Sequence, residues 1–281
     1  MALQALKYPQ QAVTVLISFV EAAKLIFTTT IWLAFLVPLG LSIGLYFGGE
    51  VLLENFQQID LKSVNEESAS ELLTIGIQAI SIYAAVHMTR YLVLTLLTPI
   101  LTPLSTRVEY LITGNTYPLI IKYYIEDIVR AWKIIIRNML LQMAWMAGLY
   151  TLTFIYGLPD WIDTIGYYVI ACYFYGFSFM DYANERRRLS IPDSIKFTRQ
   201  HAGAAYMLGL VYAGIWQIPY AGVVIGPILT VVAGTIAVHK LVDLSKNPYA
   251  VRPGETESQA DREAAENEEE SSENSTNIEV E

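Results

Sequence analysis

Two apolar runs, Leu25 to Phe47 and Leu72 to Leu97, decide what this chain can fold into. Each exceeds the ~20 residues that carry a helix across a ~30 Å hydrocarbon core. Composition agrees. Of 281 residues 54% are hydrophobic and 16% charged, against roughly 25% charged in soluble domains. Pro38 is placed to kink the first run, and the second contains His87 and Arg90. An arginine at mid-bilayer needs a partner or water. The stretch between the runs, Glu50 to Glu71, sets Glu50, Glu54, Asp60, Glu66, Glu67 and Glu71 against one cation, Lys62.

The net charge of −9 comes from one end. Gly254 to Glu281 holds eleven acidic residues against Arg262 alone, so the rest of the chain sums to +1. Like charge and few apolar residues predict a disordered acidic tail, 254–281, behind a helical membrane domain, 1–253. Cys172 stands alone in an apolar run, which leaves no partner within the chain for a disulfide or a cysteine-based metal site.

Before the first run, Gln10, Thr14, Ser18 and Glu21 recur on one helical face, with Val13, Leu16, Ile17 and Val20 opposite. The pattern predicts a helix lying in the membrane interface. After the second run, Pro99 and Pro103 are expected to break the helix. Thr102 then reads as an N-cap, with Pro103 at the first position of a short helix ending near Gly114. In the helix from Leu119 to Arg137, Lys122, Glu126, Arg130, Lys133 and Arg137 form one charged stripe. That stripe is either a solvated face or the wall of a polar pathway.

Two hairpins come last. Met139–Tyr156 and Thr164–Met180 flank "GLPDWID", and Ala202–Ile218 and Val223–Val238 flank "PYAG". Arms of this length reach about 26 Å, the lower limit for crossing, and the sequence leaves open whether they cross. The expected fold is thus an all-α integral membrane protein. It has an interfacial N-terminal helix, two long membrane helices, an amphipathic helix and two short hairpins.

Between the hairpins stand Arg186, Arg187 and Arg188. Placing every basic cluster on one side of the membrane puts both termini in the cytoplasm, and the triple arginine then anchors topology. The other reading gives these arginines, with Glu109 and Asp181, to an anion pathway. Helix N-termini bind anions. Ser190 as N-cap with Asp193 as its reciprocal partner already brings negative charge to the start of the helix after the arginines. The start of the Thr102 helix is the better anion candidate, through Thr102, Ser105, Thr106 and Arg107. No nucleophile elbow, P-loop, HExxH or paired histidine at ligand spacing occurs, and His87, His201 and His239 are scattered. The residues point to no enzyme, no cofactor, no metal and no nucleic acid.

The order of these parts, with "FMDY…RRRLSIPDSIKFTRQH" and "IPYAGVVIGPILTVVAGT", resembles the etoposide-induced-protein family, whose bacterial branch contains the CysZ-type sulfate permeases. The resemblance covers about Gln10 to Lys240. It implies two long helices, two partly inserted hairpins, a tendency to oligomerise, the bacterial cytoplasmic membrane, and passive sulfate uptake for assimilation into cysteine. This chain departs from the branch where sulfate matters. Trp32 and Leu33 stand where those permeases resemble one another in paired arginines, and "TPLST", Thr102 to Thr106, replaces a "GLLAE"-like piece; Glu109 and Gly114 match. The leading expectation is a passive permease or channel-like protein for a small inorganic anion. The rival is a non-transporting assembly subunit whose acidic tail recruits a basic partner.

Overall fold

The computed structural model describes residues 7–44, 69–117, 121–219 and 221–250. The acidic stretch 50–68, Lys62 within it, the His87 side chain and the tail 254–281 lie outside the described residues. The described chain is helical: α1 (Lys7–Thr28), α2 (Thr30–Gly44, opening as the 3-10 turn Thr30–Phe35), α3 (Ala69–Thr113), α4 (Ile121–Tyr156), α5 (Asp160–Arg186), α6 (Ile191–Gln200), α7 (Ala202–Trp216) and α8 (Ala221–Val242). Among the described residues, Lys7–Thr28, Thr89–Thr113, Tyr124–Tyr156 and Ala221–Val242 are long and apolar enough to cross a membrane. The chain is an all-α integral membrane protein.

α8 is buried along most of its length, with α1, α3, α5 and α7 packed around it. α1 turns Gln11 and Ser18 inward and leaves Val13, Leu16, Ile17 and Val20 exposed, the arrangement expected of a helix whose outer solvent is lipid. α5 and α7 approach backbone to backbone. A Cβ on Gly176 would lie 1.8 Å from the Ala205 carbonyl oxygen, and one on Gly209 would lie 1.7 Å from that of Cys172. Only glycine permits this crossing, as is common where helices associate in lipid.

The two prolines do not end the helix. α3 runs through Pro99 and Pro103 without interruption, so Thr102 is a mid-helix residue and not an N-cap. The reason lies on α4. Each proline removes the N–H that would bond the carbonyl four residues back. The orphaned Thr95 oxygen instead accepts from Trp132 Nε1 at 3.0 Å, and the orphaned Pro99 oxygen accepts from the Tyr124 hydroxyl at 2.5 Å. A neighbouring helix thus replaces both lost bonds, as a backbone facing lipid requires.

The run Leu25 to Phe47 is not one continuous helix either. Thr28 and Thr29 turn their hydroxyls back onto the Lys24 and Leu25 carbonyls. Thr29 then goes extended (φ −127°, ψ 175°) and caps the 3-10 turn by accepting from the Ile31 N–H. Conversely, the amphipathic helix and the arm after it form the single helix α4. The Asn138 between them is buried, and its Nδ2 donates to Ser178 Oγ at 3.0 Å. Arg90 meets aromatic faces, with its guanidinium carbon 5.7 Å from the ring centres of both Tyr175 and Trp216. Ser190 caps α6 as its sequence suggests, accepting from the Asp193 N–H at 3.3 Å and donating to its carboxylate.

The donors on α4 make a testable pair. Tyr124→Phe and Trp132→Phe each leave one α3 carbonyl unsatisfied, and each is expected to lower stability by about 1 kcal/mol. The double variant should lose about the sum, measured by chemical unfolding in micelles. Wild-type stability in the double variant would mean that α3 holds its course without α4.

Candidate functional site

α3 carries Ser105 and Glu109 one turn apart on the face turned toward the end of α5. There Tyr182 and Arg186 are likewise one turn apart. Gly114, at φ +78°, then reverses the chain and carries Asn115 and Tyr117 back over Glu109. Asn247, just after α8, closes the ring.

At the centre is an ion pair with almost no exposure. Arg186 Nε lies 2.5 Å from Glu109 Oε2, the two side chains being 4% and 0% exposed. Arg186 Nη1 donates to Ser105 Oγ (2.9 Å) and to the Tyr182 carbonyl (2.7 Å). Ser105 in turn shares a 2.6 Å hydrogen bond with Thr235 of α8. The other Glu109 oxygen accepts from Asn115 Nδ2 (3.1 Å) and from the Tyr117 hydroxyl. Asn247 Nδ2 donates to the Tyr117 hydroxyl and to the Arg186 carbonyl. Burial first, then the Glu109 carboxylate, push the Tyr117 hydroxyl up from its ordinary value, so it stays a donor.

A cavity of about 580 Å³ opens beside this pair. Thr102, Thr106 and Arg107 from α3, Asp127 from α4, and Glu185, Arg186 and Arg188 from the end of α5 line it, with Tyr110, Tyr117, Tyr124 and Tyr249. The Arg186 Nη2 and the Thr102 hydroxyl are buried with no hydrogen-bond partner. Arg107 sits over the Tyr110 ring at 4.9 Å. Arg188 occupies the left-handed region (φ 52°) where glycine is usual. Its N–H bonds the Glu185 carbonyl and the Leu189 N–H bonds that of Asn184, the pair of bonds that closes a helix C-terminus.

The sequence-named residues therefore divide. Thr102, Thr106, Arg107, Arg186 and Arg188 come together at the cavity, while Ser105 and Glu109 stand behind them. The helix start expected at Thr102 is absent, so no free backbone N–H groups face the cavity there, and its side chains remain. Arg186 is buried in the protein, unlike a solvent-facing anchor. Arg187 turns away, donating to Asn184 Oδ1 and stacking on Phe197 at 4.8 Å. Asp181 belongs to a separate cluster, accepting from Arg130 Nη2 at 3.2 Å and from the Ser194 hydroxyl. Trp32 and Leu33 lie exposed on the 3-10 turn.

Sequence reasoning missed Glu185, Asp127, Tyr117, Asn115 and Asn247. Two signals were present: Asp127 falls off the charged stripe of α4, and Glu185 follows Asp181 by one helical turn. The tyrosine and the two asparagines had none: Asn115 and Tyr117 reach Glu109 only because the chain reverses at Gly114, and Asn247 comes in from far along the chain.

Glu185 lies outside the four candidate spans, and both its carboxylate oxygens are buried without a partner. Burial, followed by the negative charges of Asp127 and Asp181, pushes its carboxyl well above the ordinary value of 4.5. The folded protein then keeps this proton to higher pH than the unfolded chain does. Its contribution to stability is whole below the unfolded value and is lost as pH rises through the folded one. Between about pH 5 and pH 8 the melting midpoint of the wild type should fall more steeply than that of Glu185→Gln. Parallel curves would show that Glu185 is not held protonated.

The family described as Sulfate transporter CysZ/Etoposide-induced protein 2.4 matches residues 18–227, a stretch running from α1 into α8 and containing the whole of α3 to α7. No curated protein matches the chain. With most of its length matched, the chain belongs to the CysZ/etoposide-induced-protein family.

Proposed function

We propose that this protein is a passive permease for a small inorganic anion, sulfate by family, and that the cavity beside Arg186 is where the anion is held. The observation that carries the reading is the unpartnered, buried Nη2 of Arg186 at a cavity that Arg107 and Arg188 also line. A tetrahedral oxyanion offers acceptors only. Guanidinium groups and the unpartnered Thr102 hydroxyl are the donors that suit it. Burial pushes the Glu185 carboxyl toward its neutral form, which weakens the repulsion an anion would meet; Asp127 is the other acid among the lining side chains.

The same reading places the protein in a bacterial cytoplasmic membrane with both termini in the cytoplasm, on the asymmetry of its basic residues. Family membership supports transport over catalysis. The lack of arginines at Trp32 and Leu33 fits a site that takes its charge from the end of α5.

The test is uptake of radiolabelled sulfate by liposomes holding the full chain. Wild type should exceed empty liposomes. Arg107→Ala, which leaves the Glu109–Arg186 pair untouched, should lower the flux about tenfold, the effect of one charged hydrogen bond. Folded protein that passes no sulfate would remove the permease reading and favour the assembly-subunit alternative.

A further inference from the structure

A second cavity, of about 630 Å³, lies apart from the first, between α4, α5, α6 and the start of α7. Along α4 its wall is Arg137, Leu141 and Trp145, and on α5 it is Phe174 and Phe177, with Arg199 of α6 at the same end as Arg137. From Arg137 to Trp145 the groove runs about 12 Å along α4. Its lower flank is open, because Trp145 is 64% exposed.

Two features mark this groove as more than an unpartnered apolar face. Arg137 and Arg199, two like charges, both line this one cavity. Among the described residues neither has a carboxylate within 4 Å. Arg137 donates to Asn138 Oδ1 at 3.1 Å and lies against the face of Phe177. Two cations on the wall of one cavity are suited to an anion, to which guanidinium groups donate well.

The second feature is the level of these charges in the membrane. Arg137 is the last charged residue of α4, and none follows to Tyr156. Arg199 stands in the last turn of α6, a ten-residue helix too short to cross. Both therefore mark the boundary where polar surface gives way to apolar surface. Below it the groove is aliphatic and aromatic. Cationic head and apolar trough together have the chemistry of an amphiphile with a negative head group.

We propose that this groove binds an anionic phospholipid, its phosphate bridging Arg137 and Arg199 and one acyl chain lying along Leu141 and Trp145. The charge of the head group neutralises the two arginines. The chain covers the Trp145 ring, which the protein itself leaves open. This site is independent of the anion cavity, and its occupancy does not depend on whether sulfate is carried.

The test uses the full chain in a neutral detergent and follows the melting midpoint as phosphatidylglycerol is added, since a ligand of the folded state raises it by mass action. The wild type should be stabilised by phosphatidylglycerol and much less by phosphatidylcholine or inorganic phosphate. Arg137→Gln with Arg199→Gln should need about tenfold more lipid for the same shift. Lys133→Gln, which removes a cation of the same helix outside the groove, should behave as wild type. If the double variant does not fold, Arg199→Gln alone, at an exposed position, carries the same readout. An equal shift with inorganic phosphate would make this a free-anion site. An equal shift with phosphatidylcholine, or an unchanged double variant, would also overturn the proposal.

Discussion

The fold around the cavity depends on one charge pair, Arg186 with Glu109, drawn almost wholly out of solvent. Removing two charges from water costs several kcal/mol each, and their attraction offsets this only where the remaining donors and acceptors are also satisfied. Here the surroundings nearly complete the set. Ser105, Tyr182, Asn115, Tyr117 and Asn247 each bond one partner of the pair. These residues come from α3, from α5, from the turn after α3 and from the segment after α8, so the pair ties together four places far apart in sequence. One donor, Arg186 Nη2, is left over, and the cavity lies beside it.

The rest of the bundle keeps that junction in register. α3 brings Glu109 to the pair because it stays helical through two prolines, where Trp132 and Tyr124 on α4 bond the carbonyls the prolines orphan. α5 brings Arg186 because it continues beyond its apolar arm, with Asp181 held by Arg130 and Ser194 along the way. On its other face α5 meets α7 at glycines that admit no side chain. Each helix is thus fixed by a neighbour as much as by its own propensity, which is general where lipid offers the backbone no hydrogen bonds.

This explains which parts of the structure were legible in the sequence. Hydrophobic length, the tight turns and the Ser190–Asp193 cap are local signals, and the helical class, the hairpins and the start of α6 follow from them. The end of α3 at Gly114 is also local. The continuity of α3 is not, since a proline tells only what its own residue lacks, and the compensating donors lie about 25 to 40 residues further along the chain. The threonines that end α1 were visible but read as part of an apolar span, because threonine is tolerated in lipid until its hydroxyl competes for helix carbonyls. Arg107 and Arg186 were both named from sequence, yet their meeting at one cavity needed the packing of α3 on α5. The family match carries the same lesson. It reaches across residues 18–227, while the particular arginines that face the cavity are a matter of this chain's own side chains.

The most direct test of the central junction is a double-mutant cycle on Glu109 and Arg186, with unfolding free energies measured in micelles. If the pair organises the site, Glu109→Ala and Arg186→Ala each strand a buried charge and cost about 3–5 kcal/mol. The double variant should then lose far less than the sum, because neither charge remains to be stranded. Two small losses below about 1 kcal/mol that simply add would contradict the account and reduce the pair to a contact the fold does not require.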